Sequence, residues 1–91
     1  MTSKVFLSPH AARDYKKLDP AIRVPFQAAI DELRTRPLAG PKIKRLKGRL
    51  HDYYRYRVGD YRIVYTVSHH QEHVVYVDYI QHRKDVYRGI E

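Results

Sequence analysis

Cysteine and tryptophan are absent from this 91-residue chain, and methionine occurs once and glycine four times. Without cysteine, neither a disulfide framework nor a thiolate-bound metal can form. Acidic residues are few beside basic ones, 10 Asp+Glu against 18 Lys+Arg, which gives a formal net charge of +8. That balance points to a polyanionic partner: nucleic acid, a ribonucleoprotein surface or an acidic protein. No apolar run approaches the length of a membrane span, and the stretch Met1-Thr2-Ser3-Lys4-Val5 lacks the apolar core of a secretory signal. A soluble, cytoplasmic protein with no membrane partner is expected. One domain covering residues 1–91 is expected too, just large enough to bury a core without cross-links.

What is present is tyrosine. There are nine Tyr and two Phe, and every Tyr except Tyr15 falls at or after Tyr53. Tyrosine serves as core filler, as a stacking platform for bases or as an acid/base group. Composition leaves all three open.

The densest signal is Tyr54-Arg55-Tyr56-Arg57-Val58-Gly59-Asp60-Tyr61-Arg62-Ile63-Val64-Tyr65, two alternating strands around a Gly-Asp turn. A two-residue loop sets Val58 opposite Tyr61, Arg57 opposite Arg62, Tyr56 opposite Ile63 and Arg55 opposite Val64. Alternation then puts Tyr54, Tyr56, Val58, Tyr61, Ile63 and Tyr65 on one face and Arg55, Arg57 and Arg62 on the other. Two guanidiniums about 6 Å apart repel by roughly 0.7 kcal/mol in bulk water. Such a cluster gives a fold no stability, so a phosphate-bearing ligand is the better reading: planar guanidiniums grip phosphate oxygens in pairs.

Around the hairpin, residues 4–7 read as a short strand. Ser8-Pro9 and Asp19-Pro20 are each an N-cap followed by Pro at the first helical position. One helix is expected through Ala11, Ala12, Tyr15 and Leu18. A second carries Ile22, Phe26, Ala29, Ile30 and Leu33 on one stripe, with Pro25 inside it and Pro37 ending it. Residues 37–41 read as a loop, 49–58 and 61–68 as the hairpin strands, 68–72 as a polar turn and 74–80 as a strand in the middle of a sheet. Residues 83–90 read as a helical turn at most. The expected fold is α+β, in the order β-α-α-β-β-β, with two helices on one face of a small, mainly antiparallel sheet. The opposite face is then open to a partner.

Two further segments carry charge. In the basic loop Lys42-Ile43-Lys44-Arg45-Leu46-Lys47-Gly48-Arg49, Ile43 and Leu46 anchor to the core. Lys42, Lys44, Arg45, Lys47 and Arg49 are expected to form a phosphate-tracking rim, which would bind nucleic acid without sequence preference. The run His82-Arg83-Lys84-Asp85-Val86-Tyr87 follows the last strand, where a side chain can reach over the sheet edge. The pair His69-His70 has no third ligand at a recognisable spacing, so no metal site is expected.

Leu46-Lys47-Gly48, the hairpin of residues 54–65 and the ending of residues 82–87 together resemble the RelE/ParE toxin superfamily, and its RelE branch of ribosome-dependent mRNA endonucleases in particular. The similarity spans essentially the whole chain. It implies a toxin of a type II toxin–antitoxin pair. Its partners would be a cognate antitoxin that wraps the toxin, the ribosome and mRNA, with operator DNA met only through the antitoxin. Arg55 and Arg57 match two basic strand positions of the family's active site. Arg62 matches the arginine of the return strand, Arg83 the arginine after the last strand, and Tyr87 the C-terminal tyrosine. Some family members carry lysine at the first two positions. Arginine, with a pKa above about 12, is a poor proton acceptor, so Arg55 and Arg57 are expected to act as electrostatic clamps. The implied chemistry is cofactor-free and metal-independent transesterification by the ribose 2′-OH. Arg62 and Arg83 would clamp the phosphate, Tyr87 would act as general base and His82 as a possible proton donor. The alternative is a ParE-like DNA gyrase inhibitor without nuclease activity.

Overall fold

Both capping signals act as helix starts in the computed structural model, which describes residues 3–68 and 74–82. Ser8 caps helix α1 (Pro9–Lys16), its hydroxyl oxygen accepting the Ala11 N–H at 3.0 Å. Asp19 caps α2 (Pro20–Thr35), its carboxylate accepting the Ala21 N–H at 2.9 Å. Proline at the first helical position gives up only an N–H that has no intrahelical partner there. The second helix runs through Pro25 and stops before Pro37.

Strands β1 (Lys4–Leu7), β2 (Ile43–Arg45), β3 (Tyr53–Val58), β4 (Tyr61–Val67) and β5 (Val74–His82) form one sheet in the order β1-β5-β4-β3-β2. Strand β1 runs parallel to β5, and the other pairs are antiparallel. The α+β architecture and mainly antiparallel sheet are as expected, but there is one strand more. The basic segment read as a loop supplies β2, because Ile43 packs against the core while its neighbours alternate away, leaving the backbone free to pair with β3. Strand β3 begins at Tyr53 rather than Arg49; a 3₁₀ turn at Gly48–Leu50, opened by Gly48 at φ 69°, intervenes.

The core lies between the helices and one sheet face. Ala11, Leu18, Phe26, Ala29, Ile30 and Leu33 from the helical half meet Tyr56, Val58, Ile63, Tyr65, Val75, Val77 and Ile80 from the sheet. Full burial of each large apolar side chain contributes roughly 1.5–3 kcal/mol. Leu46 is buried as well, but outside this cluster. Among the described residues no helix is long and apolar enough to cross a membrane.

Candidate nucleic-acid interface

The hairpin pairs as its alternation requires: Arg55 with Val64, Tyr56 with Ile63, Arg57 with Arg62 and Val58 with Tyr61. Gly59 takes φ 56°, the left-handed conformation a two-residue hairpin loop needs. The three arginines therefore share the face away from the helices. They are not equally available. Arg57 is exposed and Arg55 half-buried, whereas Arg62 is only 6% exposed. Its Nη1 turns back to donate to the carbonyls of Gly59 (3.2 Å) and Tyr61 (3.0 Å). Its Nε is buried with no hydrogen-bond partner among the described residues. Position explains the difference: β4 is central, and Arg62 stands between Arg57 on β3 and Gln81 on β5. Val64, between Arg55 and Tyr79, is fully buried on the same face. The face is therefore closed at its centre, and its exposed charge lies toward the β2–β3 edge.

At that edge Lys44 stands directly opposite Arg55, and the Arg57 N–H donates to the Lys42 carbonyl at 3.0 Å. Pro41, Lys42, Ile43, Lys44, Arg55 and Arg57 line a cleft of about 240 Å³. Lys42, Lys44 and Arg57 make no ion pair among the described residues. Like charges face to face across a ladder are destabilising. An anion bridging them would remove that cost. The other members of the basic segment point elsewhere. Arg45 donates through Nε to the His51 carbonyl at 2.8 Å, and Lys47 and Arg49 are exposed beside the 3₁₀ turn without lining the cleft.

His82 is not brought together with the arginines. It pairs with Tyr61, one residue out of phase with the Arg62–Gln81 pair, so alternation turns it to the helix-covered side. There it meets the Tyr61 ring edge-on, centroids 5.4 Å apart, and borders a separate cleft of about 410 Å³ with His10, Asp14 and Lys17 of the helical half. Arg83 and Tyr87 lie outside the described residues, as do His69 and His70. Among the described residues no three His, Asp or Glu side chains are grouped as a metal ion would require.

The tyrosines whose role composition left open are largely structural. The Tyr56 hydroxyl donates to the Glu32 carboxylate of α2, and the Tyr65 hydroxyl donates to the Pro37 carbonyl at 2.6 Å. Burial and the bond to Glu32 push the Tyr56 hydroxyl up to about 12, and burial raises that of Tyr65 further. On the arginine face Tyr53 is hydrogen-bonded to Asp78, whose carboxyl burial raises above its ordinary value although that bond lowers it. Asp78 is the extra residue of a β-bulge: Val64 pairs with Tyr79 and Tyr65 with Val77, skipping it. The Ser8 hydroxyl donates to the Asp78 carbonyl at 2.9 Å, tying the bulge to the start of α1. Neither Glu32 nor Asp78 was marked by the sequence pattern. Both lie beside apolar stripes, and only the tertiary pairing reveals their tyrosine partners.

The chain belongs to the RelE/ParE toxin superfamily: residues 5–87 match the family model described as the ParE toxin of the type II toxin–antitoxin system parDE. Among solved structures, it is similar to the toxin–antitoxin complex RelBE2 from Mycobacterium tuberculosis. Identity is 27% and the TM-score 0.77, over 91% of this chain and 100% of that one. The archaeal RelE–RelB complex from Pyrococcus horikoshii matches at 28% identity and a TM-score of 0.76, covering 91% of this chain and 97% of that one. The RelB–RelE antitoxin–toxin complex from Methanococcus jannaschii matches at 28% and 0.72, covering 94% and 99%. These neighbours place the chain in the RelE-like branch. No curated protein matches it.

Proposed function

We propose that this toxin is a ribosome-dependent mRNA endonuclease, held inactive by a cognate antitoxin and acting in the cytoplasm as one domain. The observation that carries the reading is the edge cleft, where Lys42, Lys44, Arg55 and Arg57 converge with no acidic group among its lining residues. Single-stranded RNA supplies the closely spaced phosphates such a cleft needs. The antitoxin partner is proposed from the RelB-containing complexes to which the chain is similar.

The reaction is attack of the ribose 2′-OH on the adjacent phosphorus, in line with a departing 5′-oxygen. It leaves a 2′,3′-cyclic phosphate and a 5′-hydroxyl, and it requires no metal. The protein must orient the ribose, neutralise charge growing on the phosphoryl oxygens and move two protons. Arg55 and Arg57, with Lys42 and Lys44, hold the backbone. Arg62 adds its charge from the centre of the face, and Arg83 completes the phosphate clamp. Tyr87 is assigned as general base, a role that requires guanidiniums to lower its reference pKa of about 10. His82, which faces the helices, takes no part in this scheme. Flexible RNA must be held with its 2′-OH aligned, and the ribosomal decoding site supplies that alignment.

The match to a ParE model supports a second reading, inhibition of DNA gyrase without RNA cleavage. Induction in cells separates them. Primer extension of transcripts, with and without ribosomes, should reveal cuts within codons, and Arg83→Ala and Tyr87→Phe should abolish both cutting and growth arrest. A DNA-damage response with intact transcripts would establish the gyrase reading instead.

A further inference from the structure

A second cleft, about 190 Å³, shares Lys42 and Arg57 with the cationic one but opens between α2 and the hairpin tip. It is below the roughly 300–1,000 Å³ of sites that take drug-sized ligands, and suits a single heterocycle. Pro25, Ala28 and Ala29 of α2 give it an apolar wall, and Glu32 and Tyr56 give it a polar one. Glu32 accepts the Tyr56 hydroxyl on one carboxylate oxygen, and its other oxygen has no hydrogen-bond partner among the described residues. Nor does it pair with Lys42 or Arg57, although both line the same cleft.

These charges restrict the occupant. A simple anion is repelled by Glu32, a cationic side chain by Lys42 and Arg57, and a purely apolar group strands all three. What satisfies every wall is a flat body carrying N–H donors at one edge and a phosphate at the other end. Guanine alone among the RNA bases presents two adjacent donors, N1–H and N2–H₂, to one carboxylate. Adenine and cytosine place an acceptor beside their amino group, and uracil sets its single N–H between two carbonyls.

On the reading of the chain as an RNA-cleaving toxin, we propose that this cleft is a guanine subsite: the base lies against Pro25 and Ala28 with its donor edge on Glu32, and its phosphate rests on Lys42 and Arg57. Pro25 then has a use beyond the helix. Its ring is part of the wall, exposed on α2 beside the hairpin tip.

The test titrates the full-length protein with the four ribonucleoside 5′-monophosphates and with a short single-stranded RNA containing one guanine, read by amide chemical shifts and calorimetry. GMP should bind at least about tenfold tighter than AMP, CMP or UMP, the scale of one two-pronged base contact. The RNA should bind tighter again through Lys44 and Arg55. Glu32→Gln keeps an acceptor for Tyr56 but sets a donor against guanine, and should bring the four nucleotides within about twofold of one another. Ala28→Leu, at an exposed helix position, should fill the cleft and remove the guanine preference without disturbing the core. Equal binding of all four nucleotides, or a preference that survives either variant, overturns the subsite. GMP binding as tightly as the RNA overturns its assignment to an RNA guanine. The underlying reading fails separately: Glu32-dependent GMP binding by a protein that cuts no RNA removes the nuclease and leaves the subsite. Cutting with no Glu32-dependent base preference does the reverse.

Discussion

Arg57 and Arg62 stand directly opposite each other on neighbouring strands, yet only Arg57 is open to solvent. The same residue type is therefore used in two ways. Arg57→Ala should leave the urea midpoint nearly unchanged while lowering cleavage on the order of 10²–10³-fold, by analogy with the loss of one charge-stabilising donor. Arg62→Ala should lose cleavage and also about 1–3 kcal/mol of stability, because the carbonyls of Gly59 and Tyr61 lose their side-chain donor. Equal destabilisation by both substitutions would contradict this division.

The edge cleft makes a prediction about salt. If four cations neutralise phosphates of single-stranded RNA, log Kd should change with log salt with a slope of magnitude roughly 3, at about 0.7 per contact. Lys44→Ala should reduce that slope by about 0.7 without changing which sequence is preferred. A slope unaffected by Lys44 would place the RNA elsewhere.

Tyr56 contributes, with Tyr65, to the alkaline limb of stability. Its hydroxyl titrates at about 12 in the folded protein against an ordinary value near 10, so the folded state holds its proton longer than the unfolded chain. The stabilisation is therefore complete below pH about 10 and is lost as pH rises toward 12. Tyr56→Phe should cost about 1–2 kcal/mol at neutral pH and flatten this part of the profile. Denaturant midpoints at pH 8 and pH 11 measure both effects.

Ser8 is a cap with a second duty. Its hydroxyl accepts the Ala11 N–H and donates to the Asp78 carbonyl, so Ser8→Ala removes an N-cap and a tie to the bulge together. The expected loss is about 1–2 kcal/mol. Ser8→Thr, which keeps both bonds, should recover most of it in thermal unfolding.

The hairpin and both helix starts were legible in the chain because each rests on local chemistry: period-two alternation around Gly59-Asp60, and a capping side chain followed by proline. Strand β2 was not. Lys-Ile-Lys-Arg has one apolar residue, too few for a period, and becomes a strand only because β3 offers it an edge. The burial of Arg62 was hidden for a related reason, since the difference between a central and an edge strand is decided by the order of the whole sheet. His82 shows the limit most plainly: its neighbours in sequence suggest a shared site, but one residue of phase on β5 sends it to the other side.

The pairing of β1 with β5 joins Lys4 to Val74, and Ser8 reaches Asp78 across seventy positions of chain. A nascent copy can therefore close its sheet only after the segment from Val74 to Asp78 has been synthesised. Until then the first strand has no strand partner, and whatever damage the folded molecule can do is deferred. That interval favours capture by a partner already waiting in the cell.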